Sequence, residues 1–296
     1  MLGKVIDYLV DYKARQRIAI ALAKGGASML SRQVDLRDPN TWEFSGFSQN
    51  GEDGVIDVLR RQLQAPNRYI FEIGSADGTE NNSSWLLLAE RYEGLTIEGD
   101  PRQSARARRN VARYSIGSEC VSMFVTLGVV DAIMSKLAFM DPDVFSLDID
   151  GNDYHIANAL FERGFRPKIV SVEYNSAFGP DRSVTSVYRD DFRRTTAHPS
   201  GLYYGVSIAA WKNFFGSRGY QFITVDANGV NAFFVDPITI GRDSFLSEIN
   251  NKRQFAENRY QFRAYGCDHI GQFALIADQP LVQIPTFELN PSVGRS

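Results

Sequence analysis

Ten residues near the middle of the chain, "LDIDGNDYHI" from Leu147 to Ile156, carry five side chains that can hold a proton or a cation: Asp148, Asp150, Asn152, Asp153 and His155. Asp148 and Asp150 are two apart, so on a strand they share a face. They follow an apolar run that should be buried, where an unpaired carboxylate is costly. An aspartate so placed can act as a general base, and clustered hard oxygens suit Mg²⁺ or Ca²⁺. The twelve-residue ligand series of an EF-hand, with its closing glutamate, is absent. The competing expectation is a hydrogen-bonded turn in which Asn152 or Asp153 starts the next helix. Downstream, "SVEYN" supplies Glu173 and Asn175, which can complete an oxygen-ligand set with Asp148 or Asp150. Among the three histidines, His155, His198 and His269, position favours His155 as a base.

A second stretch, "FEIGSADGTENNSS", spaces Glu72, Gly74 and Gly78 almost as a nucleotide-binding loop would, with Ser75 and Asp77 in the turn. Ala76 stands where the middle glycine belongs. Glycine lets the chain turn sharply and lets a ligand approach without a Cβ in the way. Alanine is the mildest replacement if its φ is negative, so a cofactor loop and a plain tight turn both remain open here. About twenty residues on come Glu98, Gly99 and Asp100, where a carboxylate can accept both ribose hydroxyls of an adenosine cofactor. The chain has no GxGxxG and no GxxxxGK[ST] loop, so a nicotinamide enzyme or a P-loop enzyme lacks its phosphate cradle. It has no GxSxG elbow either.

The elements that must carry these residues alternate. "GEDGVIDVLRRQL" reads as a helix, "RYIFEIG" as a buried strand, and "SSWLLLAERYEG" as a helix closed by Gly94. "LTIEGD" is a second strand, an arginine-rich helix follows, and "CVSMFVTLGV" is a third strand. "DVFSLDID" is the fourth strand, "YHIANALFERG" a helix ending at Gly164, and "KIVSVEY" the fifth strand. After the helix "GVSIAAWKNFFGSRG", the run "YQFITVDANGVNAFFV" reads as a hairpin turning at Asn228–Gly229. Strands separated by helices predict an α/β, doubly wound, mostly parallel seven-stranded sheet that ends in an antiparallel hairpin. Ligands of such sheets sit beyond the carboxyl ends of the strands, which puts both stretches on one cleft.

The whole chain sets bounds on this. Its 296 residues are 44% hydrophobic, enough for a large core, and its net charge of −3 argues against a nucleic-acid partner. Arg102, Arg106, Arg108, Arg109 and Arg113 form either a solvated helix face or a local anion contact. Cys120 and Cys267 have no metal or disulfide spacing. The start, "MLGKVIDYLVDYKARQRIAIALAKGG", is too charged for a membrane span or a secretory leader. Leu2, Val5, Ile6, Leu9 and Tyr12 follow helical spacing, predicting an amphipathic helix ended by Gly25–Gly26. It would pack on the domain or on a second copy of the chain, with a membrane surface as the minor alternative. A cytoplasmic location is expected. The organisation expected is a helical extension over 1–45, a Rossmann-like domain over 46–240 and an extension over 241–296 packed on the core.

"FEIGSADG" resembles the first motif of class I S-adenosylmethionine-dependent methyltransferases. Together with "FSQNGEDGVI", "TIEGDP", "LDIDGNDY", "VSVEYN" and "GVNAFFV" it is similar to FkbM-type methyltransferases of surface-polysaccharide gene clusters, over roughly residues 46–236. The resemblance implies S-adenosylmethionine as cofactor. It puts Gly74, Asp77 and Gly78 along the methionine and ribose, with Glu72 and Ser75 in the same motif, and Glu98 with Gly99 and Asp100 at the ribose. It also puts Gln49, Asn50 and Glu52 near the amino-acid end, Asn81 and Asn82 closing over the cofactor, and Thr126 near the adenine. The strand ends further resemble metal-dependent sugar O-methyltransferases of the macrocin type. "LDID" fits their pattern, but "VEYN" offers one acid and an asparagine where they have two adjacent aspartates, which puts Mg²⁺ in question.

The expected activity is O-methylation of a sugar hydroxyl on a glycan or nucleotide sugar. Asp148 or Asp150 would be the base, and Tyr174, Arg182, Tyr203 and Tyr204 would shape the acceptor pocket. The alternative is a catalytically silent scaffold of the same fold, docking through its N-terminal helix.

Overall fold

The computed structural model describes residues 2–111, 114–241 and 245–287, with side chains from residue 12 onward. Seven strands form one sheet: β1 (Tyr69–Ile73), β2 (Glu93–Glu98), β3 (Ser118–Ser122), β4 (Val144–Leu147), β5 (Ile169–Glu173), β7 (Gln221–Val225) and β8 (Asn231–Val235). Two more, β6 (Val184–Ser186) and β9 (Leu281–Gln283), pair antiparallel in a separate ribbon. The large sheet runs β3-β2-β1-β4-β5-β8-β7. Its first five strands are parallel and β8 is antiparallel to both neighbours. This is a doubly wound, mostly parallel sheet with a closing antiparallel hairpin, as the strand and helix pattern predicts.

The helices are α1 (Leu2–Ser31), α2 (Glu52–Arg60), α3 (Ser84–Leu88), α4 (Pro101–Val111), α5 (Val130–Met134), α6 (Asp153–Glu162), α7 (Arg194–Ala197), α8 (Ile208–Gly216), α9 (Arg259–Tyr265) and α10 (His269–Ala274). Because side chains alternate across a strand, the sheet feeds two cores. On one face Phe71, Phe145, Val172 and Phe234 pack with Phe165, Trp211 and Phe215, and the Phe71 and Phe145 rings stack at 5.3 Å. On the other, Ile70, Val144, Ile169 and Val235 pack with Trp42, Leu59 and Leu86. Central strands covered on both sides carry the unbroken apolar runs visible in the sequence.

Several boundaries differ from the expectation. Helix α1 does not stop at Gly25–Gly26 but continues to Ser31. Gly25 is buried against Trp85, where a Cβ would come within 2.2 Å of the indole, so the glycine serves helix packing, not termination. Ile18 and Ala21 are buried beside it, while Tyr12 is exposed. The side chains of Leu2, Val5, Ile6 and Leu9 lie outside the described residues. Helix α3 is five residues long, and Gly94 belongs to β2 instead of closing it. Arg91, at φ +55, has already turned the chain. A Cβ on Gly94 would lie 2.3 Å from the Ile70 carbonyl of the neighbouring strand. Strand β3 ends at Ser122, short of the predicted run.

Helix α4 buries Ser104, Ala107 and Val111 and leaves Arg102 and Arg106 exposed. Arg108 donates to the Cys120 carbonyl at 3.1 Å, and Arg113 lies outside the described residues. Among the described residues no helix is long and apolar enough to cross a membrane.

Candidate functional site

The sheet reverses its winding between β1 and β4, and the loops after these strands touch. Gly74 has φ +92, and a Cβ there would sit 1.6 Å from the carbonyl oxygen of Asp148. Only glycine fits that position. Gly78, at φ +73, packs on Ala107 and Val111 of α4. Between them Ala76 has φ +46, contrary to the negative φ on which its tolerance was argued. What holds it there is Glu98, whose carboxylate accepts the Ala76 N–H at 2.9 Å and the Asp100 N–H at 2.7 Å. The acid at the end of β2 is thereby fixed against the glycine turn and keeps free lone pairs for a ligand's hydroxyls. Asp77 accepts the Thr79 N–H at 3.0 Å, the Ser75 hydroxyl is buried, and Gly99 packs on Phe124.

Glu72 is buried under this turn, where burial pushes its carboxyl up to about 7. Asn81 and Ser83 donate to it in close contacts, and the Asn82 N–H donates at 3.0 Å. The Asn82 amide also reaches the Ser146 hydroxyl at 3.1 Å. Asn81 and Asn82 are thus buried and bonded to Glu72 and to the β4 residue Ser146.

Strand β4 ends at Leu147, so Asp148 and Asp150 lie beyond it and their convergence does not come from strand alternation. Asp150 adopts φ +54, a left-handed conformation aspartate tolerates better than most residues. Asp153 is buried and accepts the N–H groups of Ile149 and Gly151 at 2.9 and 2.8 Å, closing a tight turn at the start of α6. Burial raises its carboxyl to about 6. The turn brings Asp148, Asp150 and Glu173 together, with carboxylate oxygens all within 4.8 Å of one another. Burial first, and then the neighbouring carboxylates, push Asp148 and Glu173 well above the ordinary range.

Arg194 is the counter-charge and went unrecognised in the sequence. It pairs with Asp150 at 2.8 Å, donates to the Gly201 carbonyl at 3.0 Å and lies 3.9 Å over the Tyr204 ring. Burial alone would lower the guanidinium, but Tyr204, Asp150 and Glu173 outweigh it and raise it. Its segment, "RDDFRRTTAHPS", has no periodicity that could have singled it out.

Asn175, offered by the sequence as a fourth oxygen ligand, is engaged in the loop after β5. Its amide donates to the carbonyls of Leu202 and Tyr204 at 2.7 and 2.9 Å, and its oxygen accepts the Ala177 N–H at 3.0 Å. Both amide N–H groups and one lone pair of the oxygen go to shaping the loop after β5. His155 bonds the Ser186 carbonyl through Nε2 at 2.9 Å, and burial lowers its ring below the usual value. The acceptor set is likewise committed inward. The Tyr174 hydroxyl donates to the Ala256 carbonyl at 2.7 Å and the Tyr203 hydroxyl to the Pro280 carbonyl at 2.6 Å. Tyr204 accepts from Gln261 at 2.9 Å, and Arg182 lies over Phe273. Of the four, only Tyr204 lies beside the acids, through Arg194.

Asn50 and Glu52 are buried near the hairpin turn. Glu52 accepts from the Asn50 amide at 2.9 Å and from Asn231 at 2.8 Å, and Asn228 donates to Asn50 at 3.1 Å. Gln49 instead lines an open cavity of about 400 Å³ between α1 and the loops at 45–49 and 79–80. Thr126 precedes the 3₁₀ turn after β3, next to Leu127, whose N–H donates to the Tyr188 hydroxyl at 2.8 Å.

No family model matches the chain, and no curated protein matches it. Solved structures do. The O-methyltransferase from Bacillus cereus in complex with SAH is 15% identical, over 74% of this chain and 89% of that one, with a TM-score of 0.42. TomG from Streptomyces achromogenes, an O-methyltransferase involved in tomaymycin synthesis and in complex with SAM, is 16% identical over 72% and 93%, with a TM-score of 0.42. The fold assignment rests on the strand order itself.

Proposed function

We propose that the chain is an S-adenosylmethionine-dependent O-methyltransferase whose acceptor is a sugar hydroxyl of a surface glycan or its precursor. The observation that carries this reading is the contact at the switch point: the glycine turn after β1 abuts Asp148, so cofactor loop and acid cluster share one crevice. The residues present fit the cofactor. Glu98 is held rigid as a hydroxyl acceptor, and the cavity beside Thr79 and Glu80 extends the same loop. Bound there, S-adenosylmethionine supplies an electrophilic methyl group on sulfur.

The chain's part is to align the acceptor hydroxyl with that methyl and take its proton as the new C–O bond forms and the methyl–sulfur bond breaks, the sulfur leaving with the electron pair as the neutral thioether of S-adenosylhomocysteine. Asp148 is the base in this proposal. Asp150 is paired with Arg194, whereas Asp148 forms no ion pair among the described residues and is reached by the Arg194 charge only at longer range. Its raised pKa makes it a stronger base near neutral pH than an ordinary aspartate. Glu173, close enough to share the proton, relays it. The three carboxylates also fit a hard divalent cation, with Asp148, Asp150 and Glu173 as its holders and Asn175 engaged in its loop. Held by these three carboxylates, Mg²⁺ would supply Lewis acidity toward the acceptor hydroxyl. The sugar class of acceptor is supported by the sequence resemblance and by an acid cluster suited to a hydroxyl.

Isothermal titration with S-adenosylhomocysteine, with and without MgCl₂, tests the cofactor. Methyl transfer to sugar acceptors tests the reaction. Absence of any binding overturns the proposal.

A further inference from the structure

The carboxyl end of the sheet carries a second recess. Glu173, the last residue of β5, pairs with Asn231 of β8, so the hairpin turn just before Asn231 lies at the same edge of the sheet as the acid cluster. That turn packs on the segment leading into α9. A Cβ on Gly229 would lie 2.5 Å from the Ala256 carbonyl oxygen, and the Arg259 N–H donates to the Asn228 carbonyl at 3.0 Å. Beside this contact is a cavity of about 400 Å³, lined by Ala227, Ala256, Glu257, Arg259, Phe262 and Arg263. Its volume is that of a small-ligand site.

Arg259, Phe262 and Arg263 stand at i, i+3 and i+4, so they share one face of α9. The other face carries buried Gln261, whose amide donates to the Tyr204 hydroxyl at 2.9 Å. The Asn258 side chain accepts the Tyr260 and Gln261 N–H groups at 3.0 and 3.1 Å, which fixes the start of the helix. The face so presented holds two exposed guanidiniums and a Phe262 ring that is 46% exposed. Neither arginine forms an ion pair among the described residues. The acid in the lining, Glu257, is engaged by His269, which donates its backbone N–H at 3.1 Å and its ring Nδ1–H at 2.7 Å.

Like charges at i and i+4 oppose each other, so this face gains on meeting an anion. Half of the lining residues, Ala227, Ala256 and Phe262, are apolar, and a bare inorganic anion leaves that wall unused. A sugar ring that carries a carboxylate uses both, with its C–H face on Phe262 and its carboxylate on the guanidinium forks.

We propose that this cavity is an acceptor subsite that holds the carboxylate of a hexuronic acid residue, away from the hydroxyl that is methylated. The inference rests on the methyltransferase reading and narrows its acceptor to an acidic glycan. Two contacts join the subsite to the acid cluster. Tyr174, next to Glu173, donates to the Ala256 carbonyl at 2.7 Å. Gln261 bonds Tyr204, whose ring lies 3.9 Å from the Arg194 guanidinium that pairs with Asp150. A glycan gripped at α9 is thereby held in a fixed position relative to the three carboxylates.

The test is calorimetry on the full chain with three probes: trigalacturonate, its fully methyl-esterified form, which keeps the rings and loses the charges, and inorganic pyrophosphate. The wild type binds trigalacturonate about tenfold more tightly than either of the others. Arg259→Gln and Arg263→Gln each weaken trigalacturonate about tenfold, as loss of one charge-assisted bond at a partly exposed site requires. Both leave the melting temperature unchanged, since the side chains are exposed. Absence of trigalacturonate binding, equal affinity for acid and ester, or variants that bind like the wild type overturn the subsite. Pyrophosphate binding as tight as that of trigalacturonate overturns the uronate in favour of a phosphate. S-adenosylhomocysteine is titrated in parallel. If it binds while the sugar results fail, the methyltransferase reading stands without this subsite. If it does not bind, that reading falls, and with it the acceptor role of the cavity, even where the uronate binds.

Discussion

Replacing Gly74 with alanine should be among the most damaging single changes in the chain, and the structure sets its scale. The residue sits at φ +92, which costs an L-residue about 1–2 kcal/mol. Its new Cβ would lie 1.6 Å from the Asp148 carbonyl oxygen, a backbone atom that no rotamer change can move away. Relieving that overlap requires the β1 and β4 loops to separate, and forced overpacking adds about 1–3 kcal/mol. The expected loss is therefore roughly 2–5 kcal/mol. Ala76→Gly, two residues away, is the control. It relieves a φ of +46 and leaves the bond from the 76 N–H to Glu98 in place, so stability should change by less than about 1 kcal/mol. Urea unfolding of both variants reads the difference directly. A Gly74→Ala protein as stable as the wild type would refute the contact between the two loops, and with it the shared crevice.

Asp148→Asn should lower the methyl-transfer rate by about 10²–10⁴, with S-adenosylhomocysteine affinity unchanged; a kcat within fivefold of wild type, roughly 1 kcal/mol, assigns the base elsewhere. Asn175→Ala should cost about 2–4 kcal/mol through three lost loop hydrogen bonds yet leave Mn²⁺ binding intact, and loss of metal affinity in a folded variant contradicts that division. Stability should fall as pH rises from about 5 to 8. Glu72 and Asp53 are raised to about 7 and Asp153 to about 6, chiefly by burial, so the native state holds protons the unfolded chain has released. That stabilisation is complete below the unfolded carboxyl range and lost through the folded values. A melting temperature that climbs over this interval contradicts the assignment.

The sequence by itself determined the sheet. Apolar runs of strand length, helices between them and an Asn-Gly hairpin define the order of elements, because each signal is local and periodic. It also singled out the carboxylates at the strand ends, since Glu98, Asp148 and Glu173 come at the close of buried runs where an acid needs a specific partner. Helix ends were less legible: Gly25 and Gly94 look like stop signals, but each is glycine because another element lies against it. Only the tertiary structure decided which polar residues face the crevice. Asn175, Tyr174 and Tyr203 have the right types and spacing, yet distant carbonyls at Leu202, Ala256 and Pro280 claim their donors. Arg194 and Arg17 carry no pattern at all. They matter because loop closure and helix docking place their charges beside acids far away in the chain, at Asp150 and Glu80. Hydrogen bonds and ion pairs of that kind join residues the local pattern cannot relate.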